Sequence, residues 1–169
     1  MDIEPDLREL FDAAVDAQHH AYCPYSHYPV GAALRTPSGR IFSGCNVENA
    51  AFPEGSCAET GAIAAMVAAG ERVIVEIVVV TEGDAPGTPC GGCRQRLREF
   101  ATPDTLVHAV AVPPAAIDSG SSSDAIDSDS PIAAIPAGGL ADAMLTSRMT
   151  ALLPDSFGPE ILGRSLPHS

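Results

Sequence analysis

Apolar and polar positions along the chain alternate between two periods. Leu7, Leu10, Phe11, Ala14, Ala17 and Ala21 recur at three- and four-residue steps, so a helix is expected from Ile3 to about Ala21, ended by Cys23-Pro24-Tyr25-Ser26. Val30 to Leu34 and Ile41 to Cys45 flank the turn-forming tetrad Thr36-Pro37-Ser38-Gly39 and read as a hairpin. A loop rich in Asn and Glu, Asn46 to Ser56, follows. Cys57 to Gly70 is Ala-rich, with Ile63, Met66 and Val67 at helical spacing; it reads as a helix buried on most sides, with Gly70 suited to its C-cap. Val73 to Thr81 is a run of mainly β-branched residues that suits a strand covered on both faces. Helical spacing returns over Cys90 to Phe100, and Thr105 to Val112 reads as a further strand. Residues 113–147 change character: small residues, a Ser cluster and five Asp with no basic residue predict a flexible, exposed insertion. Met149 to Leu162 reads as a short helix and turn. Two hairpin strands, then helix, strand, helix, strand, indicate an α/β or mixed-sheet sandwich, and the length favours one domain over 1–169.

Composition narrows the chemistry. The chain carries 22 acidic and 9 basic residues, a net charge of −13, and every basic residue is Arg. Without lysine there is no P-loop lysine, no Schiff-base lysine and no Lys-rich nucleic-acid tract. The negative charge also opposes nucleic acid and anionic membrane surfaces, which leaves a small neutral ligand as the easier partner. No run approaches the roughly 18 apolar residues of a membrane helix, and MDIEPDLREL is acidic where a signal peptide is basic, so a cytoplasmic protein is expected. Five cysteines is an odd number. That disfavours a closed disulfide framework and leaves thiols for metal binding or catalysis.

Position matters more than count. Cys57-Ala58-Glu59 opens one expected helix, and Pro89-Cys90-Gly91-Gly92-Cys93 opens another. Residues three apart on a helix face the same way, so Cys90 and Cys93 can join Cys57 around one metal. A helix N-terminus favours the thiolate form that zinc binds, and three protein ligands leave a fourth tetrahedral position open, the mark of a catalytic site. Cys-x-x-Cys alone also fits a redox pair or half of a structural zinc ribbon. Neither of those explains the carboxylate two residues after Cys57. Glu59 in the first helical turn can reach round the helix tip to shuttle protons, or serve only as a favourable first-turn charge.

Together these motifs form the signature of the zinc nucleobase deaminases in its all-Cys form, with 30 residues between Glu59 and Cys90. The chain resembles the homotetrameric zinc-dependent cytidine deaminases more specifically. The resemblance is carried by Tyr22 to Ser26, Val30 to Leu34, Gly44 to Ala50, Cys90 to Gln95 with Glu99-Phe100, and Leu152-Leu153-Pro154 with Phe157. It implies a three-layer α/β/α sandwich with a five-stranded mixed sheet, and hydrolysis of cytidine and deoxycytidine to uridine and deoxyuridine with release of ammonia. It further implies one Zn²⁺ per chain on Cys57, Cys90 and Cys93, with Glu59 as the catalytic acid/base. Asn46 and Glu48 take the places of ribose binders, and Tyr28 and Phe157 those of aromatics beside the base, Phe157 reaching in from a neighbouring subunit. The Ala58 amide and the Thr88 carbonyl take places that read the pyrimidine edge and the leaving amine. Family members with three Cys ligands usually carry Arg directly after the catalytic Glu, where this chain has Thr60, which leaves Arg94 to offset the negative charge of three thiolates. The partners implied are a nucleoside and identical subunits, with no nucleic acid and no membrane. A related aminopyrimidine-nucleoside or blasticidin-type deaminase, and a non-catalytic zinc-binding module, are the competing readings.

Overall fold

The computed structural model describes residues 5–113 and 143–163. Helix α1 (Pro5–His19) leads into β1 (Val30–Arg35) and β2 (Ile41–Cys45), followed by α2 (Ala58–Ala68), β3 (Ile74–Glu82), α3 (Gly91–Phe100), β4 (Ala101–Val112), β5 (Met144–Arg148) and the short α4 (Met149–Leu152). The sheet order is β2-β1-β3-β4-β5. β3 and β4 pair in parallel, and the other three pairings are antiparallel. A parallel neighbour requires a crossover, and α3 is that crossover. The expected five-stranded mixed sheet is therefore present, with β3 at its centre.

Alternation along the strands divides the core into two layers. Ala33, Val78, Val80, Val110 and Val112 face α1 through Leu10, Phe11, Ala14 and Val15. Ala32, Leu34, Ile77, Val79 and Val107 face the other way and pack under Ala62, Met66, Leu97 and Met149 of α2, α3 and α4. Helices thus cover both faces, the expected α/β/α arrangement. Two strand glycines set how closely they lie. A methyl on Gly31 would overlap the Ala14 carbonyl of α1, and one on Gly44 would sit 2.5 Å from the Ala62 nitrogen and 2.7 Å from the Ala58 oxygen of α2.

Three expectations are corrected. Helix α2 buries Ala58, Glu59, Ala62, Ile63 and Met66 but leaves Ala64, Ala65 and Ala68 exposed, so it is covered on one face and not on most sides. Its cap residue is Ala69; Gly70 follows at φ 93°, where the Gly70 N–H bonds the Val67 carbonyl and the Glu71 N–H bonds that of Met66. This is a Schellman closure, which places glycine one position beyond the cap. The predicted insertion also ends too late, because residues 144–147 form most of β5. The remainder of that segment, 114–142, lies outside the described residues.

Strand β5 is tied to the sheet by a polar chain that spacing does not announce. His108 is buried on β4, with Nδ1 2.8 Å from Thr146 Oγ1 and Nε2 3.0 Å from Glu76 Oε1. That hydrogen bond to His108 is the main influence holding the Glu76 carboxyl below its usual range.

The two glycines of the β2–α2 contact make opposite predictions. Gly44→Ala is expected to lower unfolding stability by about 1–3 kcal/mol, because the clash is with backbone that cannot turn aside. Gly61→Ala, whose methyl would meet its nearest atom at 3.4 Å, is expected to hold or gain up to about 1 kcal/mol, because alanine leaves the unfolded chain less backbone freedom to lose. Denaturant titration of both variants measures the difference.

Candidate active site

Strands β2 and β3 run the same way, so both deliver their following segments to one edge of the sheet. Helices α2 and α3 start at that edge and run back along one face. Cys57 is the N-cap of α2 and Cys90 that of α3, both with extended backbone, and Cys93 follows in the first turn of α3. Their sulfurs lie within 4.8 Å of one another, and the Cys57 and Cys90 sulfurs are 4.0 Å apart. A tetrahedral ion with Zn–S bonds of about 2.3 Å sets S···S edges of about 3.8 Å, so the triangle fits zinc with slight tightening.

The electrostatics of the cluster point the same way. Burial pushes the Cys57 and Cys93 thiols up, and at Cys93 the nearby Glu59 carboxylate adds to the effect. Cys90 is held below its usual value, chiefly by the Cys93 backbone N–H facing its sulfur. Three thiolates and a carboxylate packed this closely repel one another unless a cation joins them. The donor set therefore suits a soft divalent ion.

Above the sulfurs opens a cavity of about 390 Å³, in the size range of small-molecule sites. Cys57, Ala58, Glu59, Thr88 and Cys90 line it together with Asn46, Glu48 and Tyr28. Cys93, fully buried, belongs to the sulfur triangle behind it. Glu59 is 3% exposed at the second position of α2, so its carboxylate is at once in the cavity and against the cysteines. Asn46 Oδ1 accepts the Val30 N–H at 2.8 Å while its Nδ2 donates to the Tyr28 carbonyl at 2.9 Å. Glu48 Oε2 accepts the N–H groups of Tyr25 at 2.8 Å and Ser26 at 3.2 Å. Together with the Ser26 hydroxyl, these donors hold the Glu48 carboxyl below its ordinary range.

Two residues singled out from the sequence do not line this cavity. Phe157 is 55% exposed and is not part of this chain's cavity wall. Arg94 directs Nε to the Pro89 carbonyl at 2.7 Å, and its two terminal nitrogens to the Leu152 carbonyl at 2.9 Å and Thr88 Oγ1 at 3.0 Å. It fastens the segment before Cys90 and the end of α4 to the start of α3, and it makes no hydrogen bond to a sulfur among the described residues.

Periodicity and motifs pass over another part of the wall. Val30, Val79, Thr81 and Gly87 also line the cavity. Thr81 Oγ1 accepts the Gly87 N–H at 2.9 Å, and a methyl on Gly87 would sit 2.7 Å from Thr81 Cγ2. A glycine three residues before Cys90 was the available signal; that it faces a threonine at the end of β3 is a tertiary fact.

Comparison with known proteins gives a consistent result. The family model described as the cytidine and deoxycytidylate deaminase zinc-binding region matches residues 5–109. The chain is 42% identical over 95 residues to a cytidine deaminase of Sporosarcina psychrophila, covering 56% of this chain and 70% of that protein. To a cytidine deaminase of Halalkalibacterium halodurans it is 40% identical over 103 residues, covering 61% and 78%. The solved structure of cytidine deaminase from Burkholderia pseudomallei superposes with a TM-score of 0.68 at 34% identity, covering 89% of this chain and 98% of that one. That of the Mycobacterium tuberculosis cytidine deaminase gives 0.65 at 29%, covering 92% and 99%.

The sulfur triangle is testable by metal analysis. Cys57→Ser, Cys90→Ser and Cys93→Ser are each expected to lose most of the bound zinc, since two remaining thiols at this edge make an incomplete site. Full zinc content in any one variant removes that residue from the ligand set.

Proposed function

Because the chain belongs to the zinc-binding cytidine and deoxycytidylate deaminase family, we infer that it hydrolyses cytidine and deoxycytidine to uridine and deoxyuridine, releasing ammonia. The observation that carries the reading is one cavity lined by Cys57, Cys90, the buried Glu59 and the Asn46–Glu48 pair. Zinc, one ion per chain on Cys57, Cys90 and Cys93, supplies Lewis-acid activation of water when bound. Glu59 accepts a proton from the attacking water and delivers one to N3 of the ring. Addition of the water oxygen to C4 gives a tetrahedral adduct; Glu59 then takes the remaining proton of the C4 hydroxyl and passes it to the amine, so that the C4 carbonyl forms as the C4–N bond breaks and ammonia leaves. Its burial suits this role, since a carboxylate shielded from bulk water exchanges its proton with the bound reactants. The Ala58 amide and the Thr88 carbonyl read the pyrimidine edge and the amine. Arg94 offsets part of the charge of three thiolates from the first turn of α3, together with the two helix N-termini.

Asn46 and Glu48 hold the sugar hydroxyls in this reading, and Tyr28 packs beside the base. An ionised Glu48 favours neutral nucleosides over nucleotides, and the chain's net charge of −13 opposes a nucleic-acid strand. No helix among the described residues is long and apolar enough to cross a membrane.

We also propose that the enzyme is a homotetramer with shared sites. Tyr22, Tyr25, Phe52, Phe157, Ile161 and Leu162 are exposed in the single chain and offer apolar surface that subunit contacts would cover. In this assembly Phe157 covers the base bound by a neighbour.

The loss of cytidine absorbance on incubation with zinc-loaded protein tests the activity, with deoxycytidine and free cytosine run in parallel; cytidine left unchanged would refute it. Glu59→Gln is expected to keep its zinc and lose turnover by about 10²–10⁴-fold, because the amide preserves shape but cannot exchange protons. Phe157→Ala is expected to raise KM, with stacking of about 1–3 kcal/mol at stake. Mixed with excess Glu59→Gln protein under subunit exchange, it should recover a near-parental KM. No recovery despite demonstrated exchange would place the ring in its own subunit's site.

A further inference from the structure

We infer that His27 is a positioning residue for sugar recognition, acting through its left-handed backbone and not through its imidazole. The inference rests on the reading above that Glu48 binds the sugar. His27 has φ 53°, and Asp155 is the other non-glycine residue with positive φ among those described. His27 directly follows the turn at residues 24–26 in the segment between α1 and β1. On one side of His27, the N–H groups of Tyr25 and Ser26 converge on Glu48 Oε2. On the other side, the Tyr28 carbonyl accepts from Asn46 Nδ2 and the Val30 N–H donates to Asn46 Oδ1. The turn itself is closed by the His27 N–H on the Cys23 carbonyl at 3.0 Å and by the Tyr28 N–H on Ser26 Oγ at 3.1 Å.

Both sugar-binding side chains are therefore held by one strap of backbone, and residue 27 supplies the reversal that lets the strap face each of them. Because both amides use Oε2, Glu48 Oε1 remains for a sugar hydroxyl. The imidazole has no comparable role. It is exposed, makes no hydrogen bond among the described residues and is not in the cavity wall. Histidine is one of the few types besides glycine, with Asn and Asp, that adopts positive φ readily, whereas a β-branched residue resists it. Such strain is retained where surrounding contacts over-determine it, as the bonds to Asn46 and Glu48 do here.

The test is a substitution series read by KM and kcat for cytidine, by zinc content, and by calorimetric affinity for the product uridine. His27→Gly and His27→Asn, which keep the left-handed turn and discard the imidazole, are expected to stay within about twofold of the parent KM. His27→Val is expected to raise KM and weaken uridine binding roughly tenfold, with kcat and zinc content near the parent values. If His27→Val does not fold, His27→Ala takes its place with a smaller rise of about fivefold. A rise in the Gly and Asn variants as large as in Val would overturn the backbone role, and so would a Val variant of parental KM. A parent enzyme inactive on cytidine, or a Glu48→Gln variant of unchanged KM, would instead sink the reading beneath it, so the two failures are distinguishable.

Discussion

Three thiols and a carboxyl gathered within a few ångströms impose the central constraint of this fold. As thiolates they repel one another, and burial favours the thiol form at Cys57 and Cys93, so a divalent cation is what lets the cluster hold its charge together. Holding it requires the starts of two helices from distant parts of the chain to meet at one place. The sheet arranges this by running β2 and β3 in the same direction, so that α2 and α3 both begin at the edge those strands reach. Gly44 allows α2 to approach β2 closely enough for Cys57 to come within reach of Cys90. Arg94 then fastens the Thr88–Pro89 segment and the end of α4 to α3 by three hydrogen bonds.

The rest of the cavity depends on the same economy, with side chains that serve order and recognition together. Asn46 and Glu48 each use polar atoms to fix the backbone between Tyr25 and Val30. A pair of loop residues that reads as ligand-binding is thus also the anchor of the loop that completes the pocket. The Ser26 hydroxyl and the amides of Tyr25 and Ser26 favour the carboxylate form of Glu48, and a group they have already oriented loses little further freedom when a hydroxyl arrives. Preorganisation of this kind suits a small neutral substrate, which offers few contacts to offset the ordering of a mobile loop.

At the far edge of the sheet the same logic recurs without a ligand. His108 joins Glu76 and Thr146 across three strands, which satisfies a buried imidazole and gives the short β5 a side-chain anchor besides its backbone ladder. Buried polar groups of this kind are tolerated because each has a partner, and the partners lie on strands far apart in sequence.

Local pattern determined much of this protein. Helical spacing around Leu10 and Phe11, the hairpin around Thr36 to Gly39, and the β-branched run that became the central strand follow from residues a few positions apart. So does the pairing of Cys90 with Cys93, because one helical turn brings them to the same side. The deaminase motifs were equally legible, since their meaning lies in short ordered spacings. Tertiary structure decided what depends on distant partners. Met144 to Arg148 has no strong alternation of its own and becomes a strand because β4 offers it an unpaired edge. The Ala-rich α2 reads as buried all round, yet which face is covered was settled by the single sheet beneath it. Thr81 and Gly87 enter the cavity wall only because the segment after β3 folds back over its end. Positive φ at His27 is likewise imposed from outside, by two side chains roughly twenty residues away that bind the backbone on either side of it. Short-range periodicity encodes each element's preferred conformation and apolar face, but a hydrogen-bond partner or an empty space against another element exists only once the chain has closed upon itself.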